Sequence, residues 1–125
     1  MSSLPSTPAI PATSPTLVAC LCADWCGSCR EYEERFAAMA QQFPGARFVW
    51  VDIEDEAELV DPIEVENFPT LLVAVDGQAT FFGTITPQAE TLERLVRAQL
   101  DATATPVADA AVQRLAQRLQ HYAAA

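Results

Sequence analysis

The chain of 125 residues contains no lysine, a single histidine and only four glycines. Its positive charge comes from seven arginines against 17 acidic residues, which gives a net charge of −10. Nucleic acid is not expected as a partner, because phosphate binding needs a basic surface. No apolar run approaches the roughly 18 residues of a membrane-spanning helix, so no membrane partner is expected either.

Cysteine is absent outside one short stretch, which holds Cys20, Cys22, Cys26 and Cys29. A disulfide framework for a secreted domain would spread its cysteines along the chain to close long loops. The N-terminus has no basic residue before Arg30 and is interrupted by prolines, so it does not resemble a secretory signal. These features favour a cytoplasmic protein.

Composition divides the chain into three segments. Proline, serine, threonine and alanine dominate residues 1–14, which predicts a disordered or extended N-terminal segment. Half of all residues are apolar, enough for the core of one domain, which we place at 15–101. Residues 102–125 contain a further apolar stripe with helical spacing, so we predict an additional C-terminal helix that packs on the domain.

Apolar runs alternate with helical patterns, which indicates an α/β protein. The helix between the first two strands predicts a parallel, right-handed connection. Asp76-Gly77 predicts a tight hairpin, and Asp55 with Glu58 resembles a capping box for a short helix. The predicted strands are 17–22, 48–53, 70–75 and 79–83, and the predicted longer helices are 27–42, 87–100 and 106–122.

The stretch from Leu17 to Arg30 carries the chemistry. It begins as an apolar strand and delivers Cys26 and Cys29 to the start of a helix. A helix N-terminus lowers the pKa of a thiol by stabilising the thiolate, which is the nucleophilic form. A second cysteine one helical turn later can attack the resulting mixed disulfide and release the product.

Three motifs in this order resemble the thioredoxin family over about residues 16–100. Trp25-Cys26-Gly27-Ser28-Cys29 is similar to the family's Trp-Cys-Gly-Pro-Cys, with Ser28 where proline is typical. Phe68-Pro69-Thr70 resembles the family's Ile-Pro-Thr, whose proline is cis and faces the cysteines. Gly83 stands where the family keeps a glycine beside the same groove.

The resemblance implies a thiol–disulfide oxidoreductase that acts on protein disulfide clients. Cys26 would attack the client and Cys29 would resolve the mixed disulfide. The electron donor would be a thiol reductase or glutathione, and the protein would be a monomer. No metal and no cofactor is expected beyond the redox-active Cys26–Cys29 disulfide. The residues that would shape the client groove are Trp25, Gly27, Ser28, Phe68, Pro69 and Gly83.

The implied fold is a thioredoxin-like three-layer sandwich with a four-stranded mixed sheet. The chain departs from the family because its N-terminal segment is too short for the usual first strand and helix. We therefore expect the C-terminal helix to cover the second face of the sheet and to bury Val112, Leu115 and Leu119. The same absence leaves Phe48 to Val51 as an edge strand, for which the segment around Ile10 is a candidate partner.

A second departure concerns the residues beneath the second cysteine. The family commonly buries an aspartate and a lysine there to help proton transfer, and Cys20 and Trp50 occupy those positions. Cys20 and Cys22 share one face of their strand, because side chains repeat every two residues. They are either small core residues, or Cys20 lies close enough to Cys29 to take part in disulfide exchange.

Two other classes of function remain open at this point. The four cysteines could form a metal site, although zinc sites with four thiolates normally take their ligands from two separate knuckles. Alternatively, the protein could be a non-catalytic client-binding module that uses the groove beside Pro69. Replacing Cys26 by serine would leave client binding intact in such a module.

Overall fold

Four strands form one mixed sheet in the computed structural model of the chain, which describes residues 16–23, 27–61, 63, 65, 67–86, 88–101 and 105–124. Helices lie on both faces of this sheet. Among the described residues, no helix is long and apolar enough to cross a bilayer. The elements in chain order are β1 (Thr16–Cys22), α1 (Gly27–Ala40), β2 (Ala46–Asp52), α2 (Ala57–Val60), β3 (Thr70–Val75), β4 (Gln78–Thr84), α3 (Ala89–Asp101) and α4 (Ala110–Ala124).

The sheet has the strand order β2-β1-β3-β4. β1 pairs in parallel with β2 and antiparallel with β3, and β3 pairs antiparallel with β4. All seven residues of β1 are buried, as expected for a strand with neighbours on both sides and helices on both faces. Among the described strands, β2 lies at the edge of the sheet, as predicted for Phe48 to Val51. The segment around Ile10, the candidate partner for this edge, lies outside the described residues.

A two-residue turn joins β3 and β4, as Asp76-Gly77 predicts. Asp76 has a φ of 53° and Gly77 a φ of 85°, and Val75 pairs with Gln78 across the turn. Positive φ at both central residues is the requirement of a type I′ hairpin turn, which glycine satisfies without steric cost.

The first face of the sheet is covered by α1 and α3. Alternate residues of β1 point to this side, and Cys20 and Cys22 are among them. The helices contribute fully or almost fully buried side chains at helical spacing, which are Tyr32, Phe36, Met39, Leu92 and Val96.

The second face is covered by α4, with a contribution from the short α2. The expected burial of Val112, Leu115 and Leu119 is confirmed, because none of them exposes more than 4% of its surface. They pack with the β1 residues on the opposite side from the cysteines, which are Leu17, Ala19 and Leu21. The C-terminal helix therefore covers the second face of the sheet, as expected from the sequence.

Two local predictions were wrong. α4 begins at Ala110 rather than at residue 106, because the Asp109 carboxylate accepts hydrogen bonds from the N–H groups of Ala111 (2.8 Å) and Val112 (3.4 Å). Val107, which precedes the helix, is hydrogen-bonded to the sheet instead: its N–H donates to the Ala79 carbonyl at 2.8 Å.

The capping box is also absent. Residue 56 is the N-cap of α2 and its side chain makes no capping hydrogen bond. The oxygen Oδ1 of Asp52 instead accepts hydrogen bonds from the N–H groups of Glu54 and Asp55, at 2.8 and 3.2 Å. The acidic side chain at the end of β2 thus stabilises the turn that leads to α2.

Candidate functional site

A disulfide bond between Cys22 and Cys29 joins the end of β1 to the first turn of α1. The two Cα atoms are 5.8 Å apart, within the usual range for a disulfide. Both cysteines are fully buried. This bond differs from the Cys26–Cys29 pair that the resemblance implies, and a sulfur atom takes part in only one disulfide at a time. In this state, Cys29 is therefore not bonded to Cys26.

The sulfur of Cys29 also contacts the backbone that precedes the motif. The Ala23 N–H group donates to Cys29 Sγ at 3.4 Å, and Ala23 is itself buried. The first turn of α1 contains no acidic side chain. A backbone N–H group stabilises negative charge on a sulfur that it contacts, so Ala23 is in position to stabilise a thiolate when one forms at Cys29.

Cys20 is buried and free, two residues before Cys22 on the same face of β1. Burial raises the pKa of its thiol well above the ordinary value of 9.0, and the negative charge of Glu33 adds to the effect. Because the thiolate is the reactive form, Cys20 is an unreactive thiol at neutral pH. The structure thus joins Cys29 to Cys22 and keeps Cys20 as a core residue.

Tyr32 lies one helical turn after Cys29 and is fully buried. Its hydroxyl makes no hydrogen bond with the described part of the chain. Burial raises the pKa of Tyr32, a negative charge on Cys20 would raise it further, and Arg35 opposes both effects. The hydroxyl therefore stays protonated and neutral, within the buried cluster that also contains the disulfide.

Trp50 is the residue directly opposite Cys20 in the pairing of β1 with β2. The Trp50 ring contacts the Phe36 ring, with the two ring centroids 5.8 Å apart. The centroid of the Phe48 ring lies 5.2 Å from that of Phe36. The two positions where the family commonly has an aspartate and a lysine are thus neighbours in the pairing of β1 with β2. They hold an uncharged thiol and part of an aromatic cluster.

The peptide bond between Phe68 and Pro69 is cis, which confirms the conformation implied by the resemblance. Pro69 is buried, and its carbonyl accepts a hydrogen bond from the Ile85 N–H at 3.1 Å. Phe68 is partly buried and packs against the cluster that contains Cys22 and Cys29. The structure therefore brings Phe68 and the disulfide to the same side of the sheet.

Gly83 lies in β4 opposite Leu71. A Cβ atom added there would meet the ring of Phe81 at 3.5 Å, an ordinary van der Waals contact. Nothing in the described chain requires glycine at this position. A requirement for glycine would have to come from a molecule that passes over β4.

Not all predicted site residues fall within the described part of the chain. Trp25 and Cys26 lie outside it, and so does the side chain of Ser28. Gly27 is the exposed first residue of α1. The roles predicted for these four residues stay predictions.

The disulfide bears on the alternative of a four-cysteine metal site. Zinc binds cysteine as a thiolate, and the sulfurs of Cys22 and Cys29 are bonded to each other in this state. Two of the four candidate ligands are therefore not available. Within the described residues, which omit Cys26, no group of three or more potential ligands is placed to hold a metal ion.

The sequence prediction did not identify Cys22 as the partner of Cys29. The period of two predicts that Cys20 and Cys22 share one face, and the structure confirms this. One further observation could have distinguished them. Cys22 is the last residue of β1, two residues closer than Cys20 to the strand end from which the chain leads into α1.

Comparison with known proteins places the chain beside thioredoxins. The sequence model of the family described as Thioredoxin matches residues 8–107. A thioredoxin H-type from Oryza sativa subsp. indica is 44% identical over 55 residues, which are 44% of this chain and 45% of the relative. Thioredoxin H2-1 from Oryza sativa subsp. japonica is 32% identical over 85 residues, 66% of this chain and 62% of the relative. Both matches leave more than a third of the relative uncovered.

Similarity to solved structures extends to the fold. The crystal structure of oxidised mitochondrial thioredoxin 3 from Saccharomyces cerevisiae superposes with a TM-score of 0.61 and 27% sequence identity. The match covers 69% of this chain and 80% of that one. The fold class predicted from the sequence is thereby confirmed.

Proposed function

Because the chain belongs to the thioredoxin family, we propose that it is a thiol–disulfide oxidoreductase that exchanges disulfides with protein clients through Cys26 and Cys29. The observation that carries the proposal is the position of Cys29. It lies in the first turn of α1, its sulfur accepts a hydrogen bond from a backbone N–H, and that sulfur already takes part in a disulfide. A sulfur in this setting is suited to thiol–disulfide exchange.

The proposed reaction has two steps. The Cys26 thiolate attacks one sulfur of a client disulfide, and the other client sulfur leaves as a thiolate. Cys29 then attacks Cys26, which releases the second client sulfur and forms the Cys26–Cys29 disulfide. The Cys22–Cys29 bond must be open for the second step, because Cys29 needs a free thiol.

Proton transfer from Cys29 would depend on solvent. Cys20 occupies the position of the family's usual buried carboxylate, and burial keeps its thiol protonated because its pKa is raised. It therefore cannot act as a base at neutral pH. Water or hydroxide would remove the proton, and the Ala23 N–H group would stabilise the thiolate that forms.

The client would lie across Trp25, Gly27, Ser28, Phe68, Pro69 and Gly83. The packing of Phe68 against the cysteine cluster supports this groove. Gly83 supports it as well, since a Cβ there would make only an ordinary contact with the Phe81 ring and the described chain itself does not require glycine. An extended client backbone that approaches β4 closely would require it.

The electron donor and the compartment also belong to the proposal. A thiol reductase or glutathione would return the Cys26–Cys29 disulfide to two thiols. One similar solved structure is described as part of a thiol-resolving mechanism that uses glutathione and thioredoxin systems. The cytoplasmic location stays a prediction, because the similar proteins include mitochondrial thioredoxins. The monomeric state is likewise part of the proposal.

The test is catalysed reduction of insulin disulfides with dithiothreitol as the electron source. We expect the full-length protein and the Cys20→Ala control to accelerate the reaction. Cys26→Ser should abolish the acceleration, because the attacking thiolate is lost. Full activity of Cys26→Ser would overturn the proposal. A Cys26→Ser variant that still binds a client peptide, together with an inactive unmodified protein, would instead indicate a binding module.

A further inference from the structure

Cys22 lies outside the Cys-x-x-Cys motif, yet it forms the disulfide with Cys29. We propose that Cys22 is a third redox-active cysteine, which competes with Cys26 for Cys29 by intramolecular disulfide exchange. The oxidised protein would then have two isomers, an outer disulfide between Cys26 and Cys29 and an inner disulfide between Cys22 and Cys29. This inference rests on the proposed function, which supplies the outer disulfide.

The fold holds the two partners of the inner disulfide in reach of each other. Cys22 is the last residue of β1, and its carbonyl accepts a hydrogen bond from the Ile53 N–H at 2.9 Å, which fixes the strand end. Cys29 is the third residue of α1. Their Cα atoms are 5.8 Å apart, so the bond forms within the packed sheet and helix.

The structure also distinguishes Cys22 from its neighbour on the same face. Cys20 belongs to the same buried cluster as Cys29 but remains a free thiol. The two thiols differ in position: Cys22 is the last residue of β1 and is bonded to Cys29, whereas Cys20 lies two residues further from that strand end and is not. Cys20 is therefore the matched control for Cys22, with the same residue type, strand, face and burial.

The exchange step balances without any added oxidant. Cys22 loses its proton and its thiolate attacks Cys29 Sγ in the outer disulfide. The Cys22–Cys29 bond forms, the Cys26–Cys29 bond breaks, and Cys26 leaves as a thiolate that can take up the proton through solvent. The number of disulfides is unchanged, and attack of Cys26 on Cys29 reverses the step.

Burial gives the inner isomer a different reactivity. Cys22 and Cys29 are both fully buried, so dissolved thiols cannot reach either sulfur directly. Access is one of the factors that set the rate of disulfide exchange. The inner disulfide would be reduced through Cys26. While it persists, a client bound to Cys26 could not be released by Cys29.

Disulfide mapping tests the inference. The protein is oxidised with glutathione disulfide, denatured, alkylated with iodoacetamide, and cut with trypsin and a protease that cleaves before aspartate. Cleavage before Asp24 and after Arg30 separates fragment 1–23, with Cys20 and Cys22, from fragment 24–30, with Cys26 and Cys29. The outer isomer gives a closed ring within 24–30, and the inner isomer gives the two fragments cross-linked.

We expect both species from the unmodified protein and from Cys20→Ala, and only the ring from Cys22→Ala. Oxidised Cys26→Ser should give the cross-link and carry one alkylatable thiol, Cys20, instead of three. Without Cys26, its inner disulfide should react with glutathione at least about tenfold more slowly than the ring of Cys22→Ala, because access is lost. Cys26→Ser leaves β1 unchanged, so it carries the test even if Cys22→Ala does not fold.

Three results would overturn the inference. The first is an oxidised, folded Cys26→Ser variant with three alkylatable thiols. The second is a cross-link that survives in Cys22→Ala and is lost in Cys20→Ala. The third is a permanent cross-link with no ring in the unmodified protein, since Cys22 would then not exchange. If any of these occurs while insulin reduction still depends on Cys26, the proposed function stands and only the role of Cys22 falls.

Discussion

Cys20 and Cys22 show how strongly the position of one residue decides the chemistry of a thiol. They lie on the same face of the same strand and are equally buried, yet only Cys22 is bonded to Cys29. The sequence predicts the shared face, because it follows from the period of a strand. The pairing depends in addition on where the first turn of α1 lies relative to the end of β1, and the sequence signal for it is that Cys22 lies nearer than Cys20 to that end.

The buried thiol of Cys20 makes the stability of the reduced protein depend on pH. Its pKa is raised in the folded state, so the unfolded chain loses this proton first as the pH rises through about 9. The unfolded state then binds fewer protons, and the free energy of unfolding falls by up to about 1.4 kcal/mol per pH unit. Urea unfolding of the reduced protein between about pH 8 and pH 10 measures this slope.

The Cys20→Ala variant is the control for that measurement. It should lose part of the alkaline slope, while the contribution from Tyr32, whose pKa is also raised by burial, remains. Equal slopes in the two proteins would show that Cys20 titrates normally in the folded state. The pKa assignment would then be wrong.

Gly83 provides a residue-scale test of the client groove. A Cβ at this position meets only the Phe81 ring at ordinary contact distance, so Gly83→Ala should change the free energy of unfolding by less than about 1 kcal/mol. It should nevertheless raise the KM for a protein client, because an extended backbone would meet the new methyl group. Reduction of the small molecule glutathione disulfide should be unaffected.

The opposite pattern would count against the groove. If Gly83→Ala unfolds the protein, the glycine is required by the fold itself. If stability and the KM for insulin are both unchanged, no client backbone passes close to β4. Measurement of both quantities on the same preparation separates these outcomes.

At the scale of elements, α4 is attached to the sheet by one amide side chain as well as by its apolar stripe. Gln113 accepts a hydrogen bond from the Ala79 N–H at 2.8 Å. Its Nε2 donates to the carbonyls of Ala79 (3.0 Å) and Val107 (2.7 Å). Ala79 lies in β4, at the edge of the sheet, and is buried. Gln113 thus satisfies backbone groups that the strand pairing leaves open.

Replacement of Gln113 by alanine should lower the free energy of unfolding by about 1–3 kcal/mol, because a buried N–H group loses its partner. Gln117→Ala is the matched control, since Gln117 lies on the same helix and is exposed. Urea unfolding of both variants makes the comparison. Equal stability of the two would show that Gln113 is not a significant link between α4 and β4.

The apolar stripe of α4 was predictable and the start of the helix was not. Val112, Leu115 and Leu119 follow helical spacing, and their burial was expected from the sequence. Pro106 suggested an earlier start, but Val107 is held by the sheet edge and Asp109 caps the helix. A contact between Val107 and Ala79 is tertiary, so local sequence patterns do not reveal it.

At the scale of the whole molecule, the fold depends on covering two faces of one sheet. The strand and helix patterns predicted the parallel pairing of the first two strands and the hairpin, since these follow from the intervening helix and the turn residues. They also left one face without a long helix, which identified α4 as its cover. The Phe68–Pro69 conformation came from the family resemblance and not from the residues alone.

Deletion of residues 104–125 should therefore unfold or aggregate the protein. The three large apolar residues of α4 contribute roughly 1.5–3 kcal/mol each when buried, a large share of the roughly 5–15 kcal/mol that stabilises a domain. Circular dichroism and size-exclusion chromatography of the truncated protein test this. A truncated protein that stays monomeric, equally stable and active would show that α4 is a dispensable tail.

The most direct test of the account is to locate the mixed disulfide that forms in the first chemical step. Reduced Cys29→Ser protein is exposed to glutathione disulfide, alkylated, and cut before Asp24 and after Arg30. The account predicts a glutathione adduct on Cys26 in fragment 24–30, because the resolving thiol has been removed. An adduct confined to fragment 1–23, or none at all, would contradict the assignment of Cys26 as the attacking residue.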